Sequence, residues 1–466
     1  MKLRQWQSDC SDIAIQHFKT QSKHFLCLAT PGAGKTVMAA EVAARLIKLN
    51  EIDIVLCFSP SKEVSTSIKL TFSRRLKARF DGVIGAIGGS YTYHSISFFD
   101  EEFWGLLKLN RVFVIFDEIH HCSGSSIENA NAWGEEIIEN IQHQAKYTLA
   151  LTGTPWRSDK LPIVLSKYCD NTNTIKCDYV YGLQQAVNDN VCRKPNLVLI
   201  DNEKLLITDE EKQTKEFSSF KDLLAEPSVS YQSIITNPEI MRHILMLGCQ
   251  KLQEIRQQNP SAAALAVASS VCHAIEIIKI LKTEFKQQAV LVTYKQNKPQ
   301  NIIDKFRTSQ SQWIVSVGMV SEGTDIPRLQ VCCHLSRVKT ELYYRQVLGR
   351  ILRVNNEINQ EAWLYTFAEP SLSEYSHRIE KEIPAGGVVI KEEYPQDAAV
   401  DLSLSLVEST KSNQDNDDGR KELSVGDNPN APEFDYVLQS INKRLLNLDV
   451  VGCYREQVIS TFNSPF

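Results

Sequence analysis

The chain has 466 residues, of which 43% are hydrophobic, enough for two or three domain-sized cores. Its formal charge of −5 rules out a uniformly basic protein. From Ser371 onward there are 9 Lys and Arg against 17 Asp and Glu, a net −8, which leaves +3 on the preceding residues. A mildly basic body with an acidic tail is compatible with a basic groove on a mixed surface. The twelve cysteines include no Cys-x-x-Cys pair, and Cys27, Cys57, Cys332 and Cys333 sit in apolar runs, the pattern of reduced core thiols in a cytosolic protein. His120-His121-Cys122 lacks a second ligand pair at zinc spacing. The opening Met1–Gln7 has no apolar stretch, so no secretory signal is expected. The weakly polar run Ser261–Leu281 is broken by His273, Glu276 and Lys279, and reads as a strand and a helix, not a membrane span.

In chain order, apolar runs predict strands at His24–Ala29, Asp53–Phe58, Val112–Phe116 and Tyr147–Leu151. A helix is predicted from Thr36 to about Lys48, with Val37, Ala40, Val42, Ala43, Leu46 and Ile47 on its apolar side. The chain turns polar from about Asn202 to Asn237. A helix at Glu239–Gln257 then opens a second series of strands: Ala263–Ser269, Ala289–Thr293, Trp313–Val317, Val331–Leu335 and Ala362–Phe367. Alternating strands and helices mean parallel sheets, and two series of this size mean two RecA-like lobes rather than one very large sheet. The predicted fold is α/β. Two tandem RecA-like domains (1–195 and 237–370) flank an insertion (196–236), and an acidic tail follows (371–466). Within that tail Glu408–Pro432 has no aromatic residue and reads as a tether. Phe434, Val437, Leu438, Ile441, Leu445 and Leu448 recur at helical spacing, which predicts a terminal helix over 434–459. The tail is therefore expected to be dispensable for the motor and to serve association or regulation.

The first strand runs into Ala29-Thr30-Pro31-Gly32-Ala33-Gly34-Lys35-Thr36 and then a helix. Strand, glycine-containing loop and helix together make a phosphate cradle. The glycines let backbone N–H groups turn inward, and the helix N-terminus adds positive potential. Thr30, Pro31, Gly32, Ala33 and Gly34 line it. Lys35 is expected to face solvent and reach the β- and γ-phosphates of ATP, with the Thr36 hydroxyl on Mg²⁺. Ala29 stands where a strict phosphate-loop pattern has its first glycine. Eighty-two residues after Lys35, a buried strand ends in Asp117-Glu118-Ile119-His120, which puts two carboxylates at the carboxyl edge of the sheet. Asp117 is assigned to Mg²⁺ through water and Glu118 to the attacking water. His120 either links this site to the next motif or fills space.

With these residues the sequence resembles the superfamily 2 helicases, nearest the restriction-enzyme motor subunits and XPB-type repair helicases, over about residues 2 to 368. Leu3-Arg4-Gln5-Trp6-Gln7 is similar to the element whose glutamine reads adenine, so Arg4 and Gln7 join the nucleotide site; Gln5 replaces the usual proline. Thr152-Gly153-Thr154-Pro155 resembles the motif that couples hydrolysis to nucleic-acid grip, with glycine where alanine is commoner. Ser59 and Thr92 fall at the strand-contacting motifs of the first lobe. Ser269 closes the first strand of the second, and these residues with Thr152 and Thr154 are the nucleic-acid candidates. Glu322-Gly323-Thr324-Asp325-Ile326-Pro327 and Gln346-Val347-Leu348-Gly349-Arg350-Ile351-Leu352-Arg353 resemble the two second-lobe motifs. Gly323 and Asp325 would face the nucleotide. Gln346, Arg350 and Arg353 would complete the catalytic set, the two arginines three apart on one helix and both facing the cleft.

The resemblance implies an ATP- and Mg²⁺-dependent motor on nucleic acid, DNA favoured. It contacts phosphates and so has little sequence preference. Two readings stay open beside it: an RNA helicase, and an ATP switch that signals to a partner without unwinding. No carboxylate–lysine cluster suggests a nuclease, so in a restriction or anti-phage setting a partner protein would cut, recruited through the tail. The expected location is the cytoplasm, with no membrane partner.

Overall fold

The computed structural model describes residues 2–381 and 447–460, less 21, 127–128, 155–156, 158–160, 170–174, 209–211, 297, 319–325 and 356. The first lobe opens with α1 (Gln5–Thr20), β1 (His24–Ala29), α2 (Lys35–Lys48), β2 (Ile54–Ser59) and α3 (Lys62–Leu76). It continues through β3 (Gly88–Thr92), α4 (Glu101–Leu109), β4 (Val112–Asp117), α5 (Ala132–Glu136) and β5 (Tyr147–Thr152). A short hairpin of β6 (Lys167–Tyr168) and β7 (Ile175–Lys176) precedes β8 (Tyr179–Tyr181) and α6 (Leu183–Asn188). Its sheet has the order β3-β2-β4-β5-β1-β8, parallel throughout. β4 and β5 are buried along their whole length, as a sheet covered on both faces requires. All carboxyl ends therefore lie on one edge, where the loops after β1, β4 and β5 meet.

The second lobe begins earlier than its composition suggests. β9 (Lys194–Asn202) straddles the predicted domain limit and enters the predicted insertion, yet it is an inner strand of the second sheet. Pro195 and Asn196 disguised it. Proline at the second position of a strand costs little ladder, and the apolar run Leu197–Ile200 behind it is fully buried. The rest of the predicted insertion is β10 (Leu205–Thr208), β11 (Thr214–Phe217), α7 (Phe220–Leu224) and α8 (Tyr231–Ile235). Then follow α9 (Pro238–Gln258), β12 (Ala263–Ala268), α10 (Val271–Thr283), β13 (Ala289–Val292) and α11 (Pro299–Thr308). β14 (Trp313–Ser316), β15 (Leu329–Leu335), α12 (Glu341–Ile351), β16 (Glu361–Phe367) and α13 (Pro370–Lys381) complete the series.

The terminal helix is corrected over 447–460. Those residues form β17 (Asn447–Val450) and β18 (Tyr454–Ser460), while 434–446 and the predicted tether lie outside the described residues. β17 joins β10 and β11 in a small antiparallel sheet. β18 pairs antiparallel with β9 and finishes a seven-stranded sheet, β13-β14-β12-β15-β16-β9-β18, whose other pairings are parallel. The physical reason is the open edge of β9, whose N–H and C=O groups a strand satisfies and a helix cannot. The Tyr454 ring lies flat on His243 of α9, centroids 3.6 Å apart, and Ile459 is buried. Among the described residues no helix is long and apolar enough to cross a membrane.

The tail strand thus belongs to the second lobe rather than to a dispensable appendage. Deleting residues 447–466 uncovers the β9 ladder and His243, and is expected to lower the melting temperature by roughly 5 °C or more. Scanning fluorimetry on the truncated and full chains measures it. An unchanged melting temperature would return the segment to the role of an accessory.

Candidate nucleotide site between the lobes

Gly32 and Gly34 adopt φ of 85° and 91°, the left-handed region that lets the loop after β1 curl over the start of α2. The loop is buttressed by α1: Arg4 Nη1 donates to the Ala33 carbonyl at 2.7 Å, and Gln7 Nε2 to that of Gly34 at 3.0 Å. Gln7 is buried, and its Oε1 accepts from the Arg4 backbone N–H at 2.9 Å. Arg4 and Gln7 thus lie beside the loop, with the glutamine amide bound to protein at both ends.

Lys35 does not face solvent. It is 8% exposed, its Nζ 3.0 Å from Glu118 Oε1 and 3.2 Å from the Ala29 carbonyl. The cause is Glu118, which takes φ 53°, ψ 54° just after β4 and so turns its carboxylate back over the loop. Burial opposes charge on all three groups, with different outcomes. Burial raises the pKa of Asp117, and the neighbouring Glu118 charge adds to it. For Glu118 burial is outweighed by Lys35 and then His120, so its pKa falls; for Lys35 burial is outweighed by Glu118 and then Asp117, so its pKa rises. Lys35 and Glu118 form the ion pair, and Asp117 is a buried acid whose charge lacks full compensation. Thr36, half-buried, follows Lys35 at the start of α2, and its hydroxyl and the Asp117 carboxylate are hard oxygen donors of the kind Mg²⁺ takes.

Behind Glu118 the site runs into the β5 loop. Gly153 N–H donates to Glu118 Oε2 at 3.1 Å, and His120 Nδ1 lies 3.4 Å from the same oxygen. His120 Nδ1 is also 2.9 Å from Thr152 Oγ1, which donates to the Thr154 carbonyl at 2.8 Å. His120 therefore links the two motifs. Tyr93 adds a contact that its sequence position did not announce, its hydroxyl donating to the Asp117 carbonyl at 2.8 Å.

The second lobe reaches the same loop through α12. A Cβ built on Gly349 would lie 2.7 Å from Pro31 Cβ, so only glycine allows this approach. Arg353 Cγ sits 3.4 Å from where Gly32 would carry a Cβ. One expectation is corrected: Arg353 is not on the helix with Arg350. α12 ends at Ile351 with Leu352 as its cap, and Arg353 follows in an extended bridge to Cys192. The helix stops because the Leu352 carbonyl accepts from the Arg193 N–H at 2.7 Å instead of from a further helical turn. Gln346 and Arg350 remain half-buried on α12. Gly323 and Asp325, with Pro155, lie outside the described residues.

The nucleic-acid candidates divide. Ser59 and Thr152 are fully buried, and Ser59 Oγ donates to the Tyr91 carbonyl at 3.3 Å. Thr154 is 2% exposed, and Ser269 Oγ is held by His273 at 2.8 Å and Gln232 at 2.9 Å. Direct phosphate contact is thus corrected for Ser59 and Thr152, whose hydroxyls serve the interior. Only Thr92 is half-open, its Oγ1 2.8 Å from Ser95 Oγ.

Two family models fall on these two lobes. That of the type III restriction enzyme res subunit matches residues 1–157, and that of the helicase conserved C-terminal domain matches 248–355. The chain belongs to the superfamily 2 helicases, near the restriction-enzyme motor subunits. An uncharacterised protein of Mycobacterium tuberculosis is 27% identical over 400 residues, covering 81% of this chain, which spans 63% of that protein's length. The DNA 3'-5' translocase XPB2 of Sulfurisphaera tokodaii is 23% identical over 400 residues, 80% of this chain and 83% of its own. The structure of the ATP-dependent type ISP restriction-modification enzyme LlaBIII bound to DNA shares the fold, at 18% identity and a TM-score of 0.52, over 78% of this chain and 27% of that one. In this helicase the lobe contact at Gly349 is testable. Gly349→Ala drives a methyl into Pro31, an overlap costing about 1–3 kcal/mol, expected as a roughly tenfold fall in kcat/KM for ATP. Steady-state ATPase kinetics would show it, and wild-type kinetics would mean that the two surfaces separate in turnover.

Proposed function

We propose that the chain is an ATP-dependent nucleic-acid translocase that hydrolyses ATP between its lobes and acts on DNA. One observation carries this reading. Arg353 of the second lobe lies against Gly32 of the phosphate loop, in the same corner as Lys35, Asp117 and Glu118. Backbone N–H groups of the loop hold the phosphates, and phosphate oxygens compete with Glu118 for Lys35. Glu118, released, orients the attacking water, while Arg353 offsets charge on the γ-phosphate only while the lobes are together. Thr36 and Asp117 would hold Mg²⁺, which supplies charge neutralisation across the phosphates. Thr152 and His120 connect this corner to the β5 loop, so that hydrolysis and grip change together.

DNA is favoured over RNA because the Sulfurisphaera relative is named a DNA translocase and the LlaBIII enzyme was captured on DNA. The match to a restriction-enzyme subunit favours a role in restriction or anti-phage defence; a cytoplasmic location and a partner that cuts belong to the same proposal. ATPase rates measured in parallel with single-stranded DNA, duplex DNA and RNA test the substrate. Duplex stimulation of at least about tenfold is expected, and stimulation by RNA alone would replace DNA. Displacement of a triplex strand should accompany hydrolysis, and hydrolysis without displacement would make the protein a switch. Lys35→Ala should abolish hydrolysis while nucleic-acid binding persists, and retained turnover would refute the phosphate-loop assignment.

A further inference from the structure

The crossover between the lobes carries a buried arginine outside all the motifs above. Arg193 is fully buried, between α6 and β9. Its guanidinium meets four neutral amide oxygens. Nη1 donates to the carbonyls of Leu329 at 2.6 Å and Ile351 at 3.3 Å, Nη2 to that of Pro327 at 2.9 Å, and Nε to Gln360 Oε1 at 3.3 Å. Desolvation pulls its pKa down. A buried cation is costly unless its donors are satisfied, and an apolar side chain would fill the space at less expense. The gain must lie in geometry.

The acceptors come from two places that matter for nucleotide. Pro327 lies in the turn before β15, two residues after Asp325 in sequence, Leu329 is the first residue of β15, and Ile351 is the last residue of α12. Terminal helix carbonyls have no partner within the helix, and Arg193 supplies one with its side chain and another with its N–H, to Leu352. The chain is thereby turned out of the helix, and Arg353 pairs in extended form with Cys192, whose Sγ lies 3.5 Å from the Pro31 carbonyl. A planar, five-donor fork fixes the directions of such partners in a way that a lysine ammonium cannot.

We propose that Arg193 is a positioning residue for ATP hydrolysis: it caps α12 and the turn after Asp325 together, and so holds Arg353 against the phosphate loop. The proposal rests on the hydrolysis reading above. It is tested on the full chain with duplex DNA, by steady-state kinetics and by single turnover with enzyme in excess. Wild type, Arg193→Lys, Arg353→Ala, their double variant and Gln360→Ala are compared. Arg193→Lys should lower kcat roughly tenfold or more while KM for ATP stays within about threefold. On the Arg353→Ala background it should add no more than about twofold, because both changes disable one device. A merely structural arginine would lower the melting temperature and leave kcat per folded enzyme unchanged. Gln360→Ala removes one acceptor of four and should lower kcat about two- to threefold; it decides the matter if Arg193→Lys does not fold. Wild-type kcat in either variant, or a loss that multiplies in full with Arg353→Ala, overturns the proposal. A wild-type chain that hydrolyses no ATP, or Arg353→Ala at the wild-type rate, would instead remove the hydrolysis reading, and the Arg193 role with it.

Discussion

Three ionisable groups, Lys35, Asp117 and Glu118, share one corner at the carboxyl edge of a parallel sheet, and the lysine pairs directly with only one of the two acids. Lys35 goes to Glu118, which its left-handed backbone turns over the loop. Asp117, at the end of β4, is left as the acid that burial disfavours. This asymmetry gives two adjacent carboxylates different environments, which the proposed roles of Asp117 at Mg²⁺ and Glu118 at the attacking water would use.

Closure is achieved by contact from three directions. α1 supplies Arg4 and Gln7 to the loop carbonyls, the crossover supplies Cys192, and α12 supplies the bare backbone face at Gly349. None of these contacts is an ion pair across the lobes. Those of Cys192 and Gly349, which come from beyond the first sheet, are a hydrogen bond to backbone and a van der Waals approach, which are short in range and so are made or lost over a small displacement. A charged latch would act over a longer distance and yield more gradually. Under the proposed mechanism, in which Arg353 meets the nucleotide only while the lobes are together, the former suits repeated opening and closing better.

Much of this was legible in the sequence because its signals are local. The phosphate loop, the Asp117-Glu118 pair and the strands on either side are each written in a few consecutive residues, and the helix and strand limits in both lobes moved by one or two positions. The remainder depends on partners far along the chain. β9 was hidden by Pro195 and Asn196, and is a strand because β16 and β18 flank it. Leu448 continues an apolar spacing that suits a helix, yet pairs with Ile207 in a sheet. Lys35 was expected in solvent because no spacing rule says that the residue after Asp117 will take a positive φ. Arg193 had no readable signal: a single arginine between two lobes looks like surface until the carbonyls of Pro327, Leu329 and Ile351 surround it.

The pairing of β9 with β18 has a consequence for how the protein is made. Asn202 and Gly452, hydrogen-bonded at one end of that pairing, are 250 residues apart. At typical synthesis rates the ribosome needs on the order of 10–50 s to cover such a distance. Throughout that time β9 offers a buried-type strand with an unpaired rim. The second lobe is therefore completed only after nearly all of its neighbours have emerged, and a nascent chain stalled within this interval presents a sticky edge to chaperones or to other nascent copies.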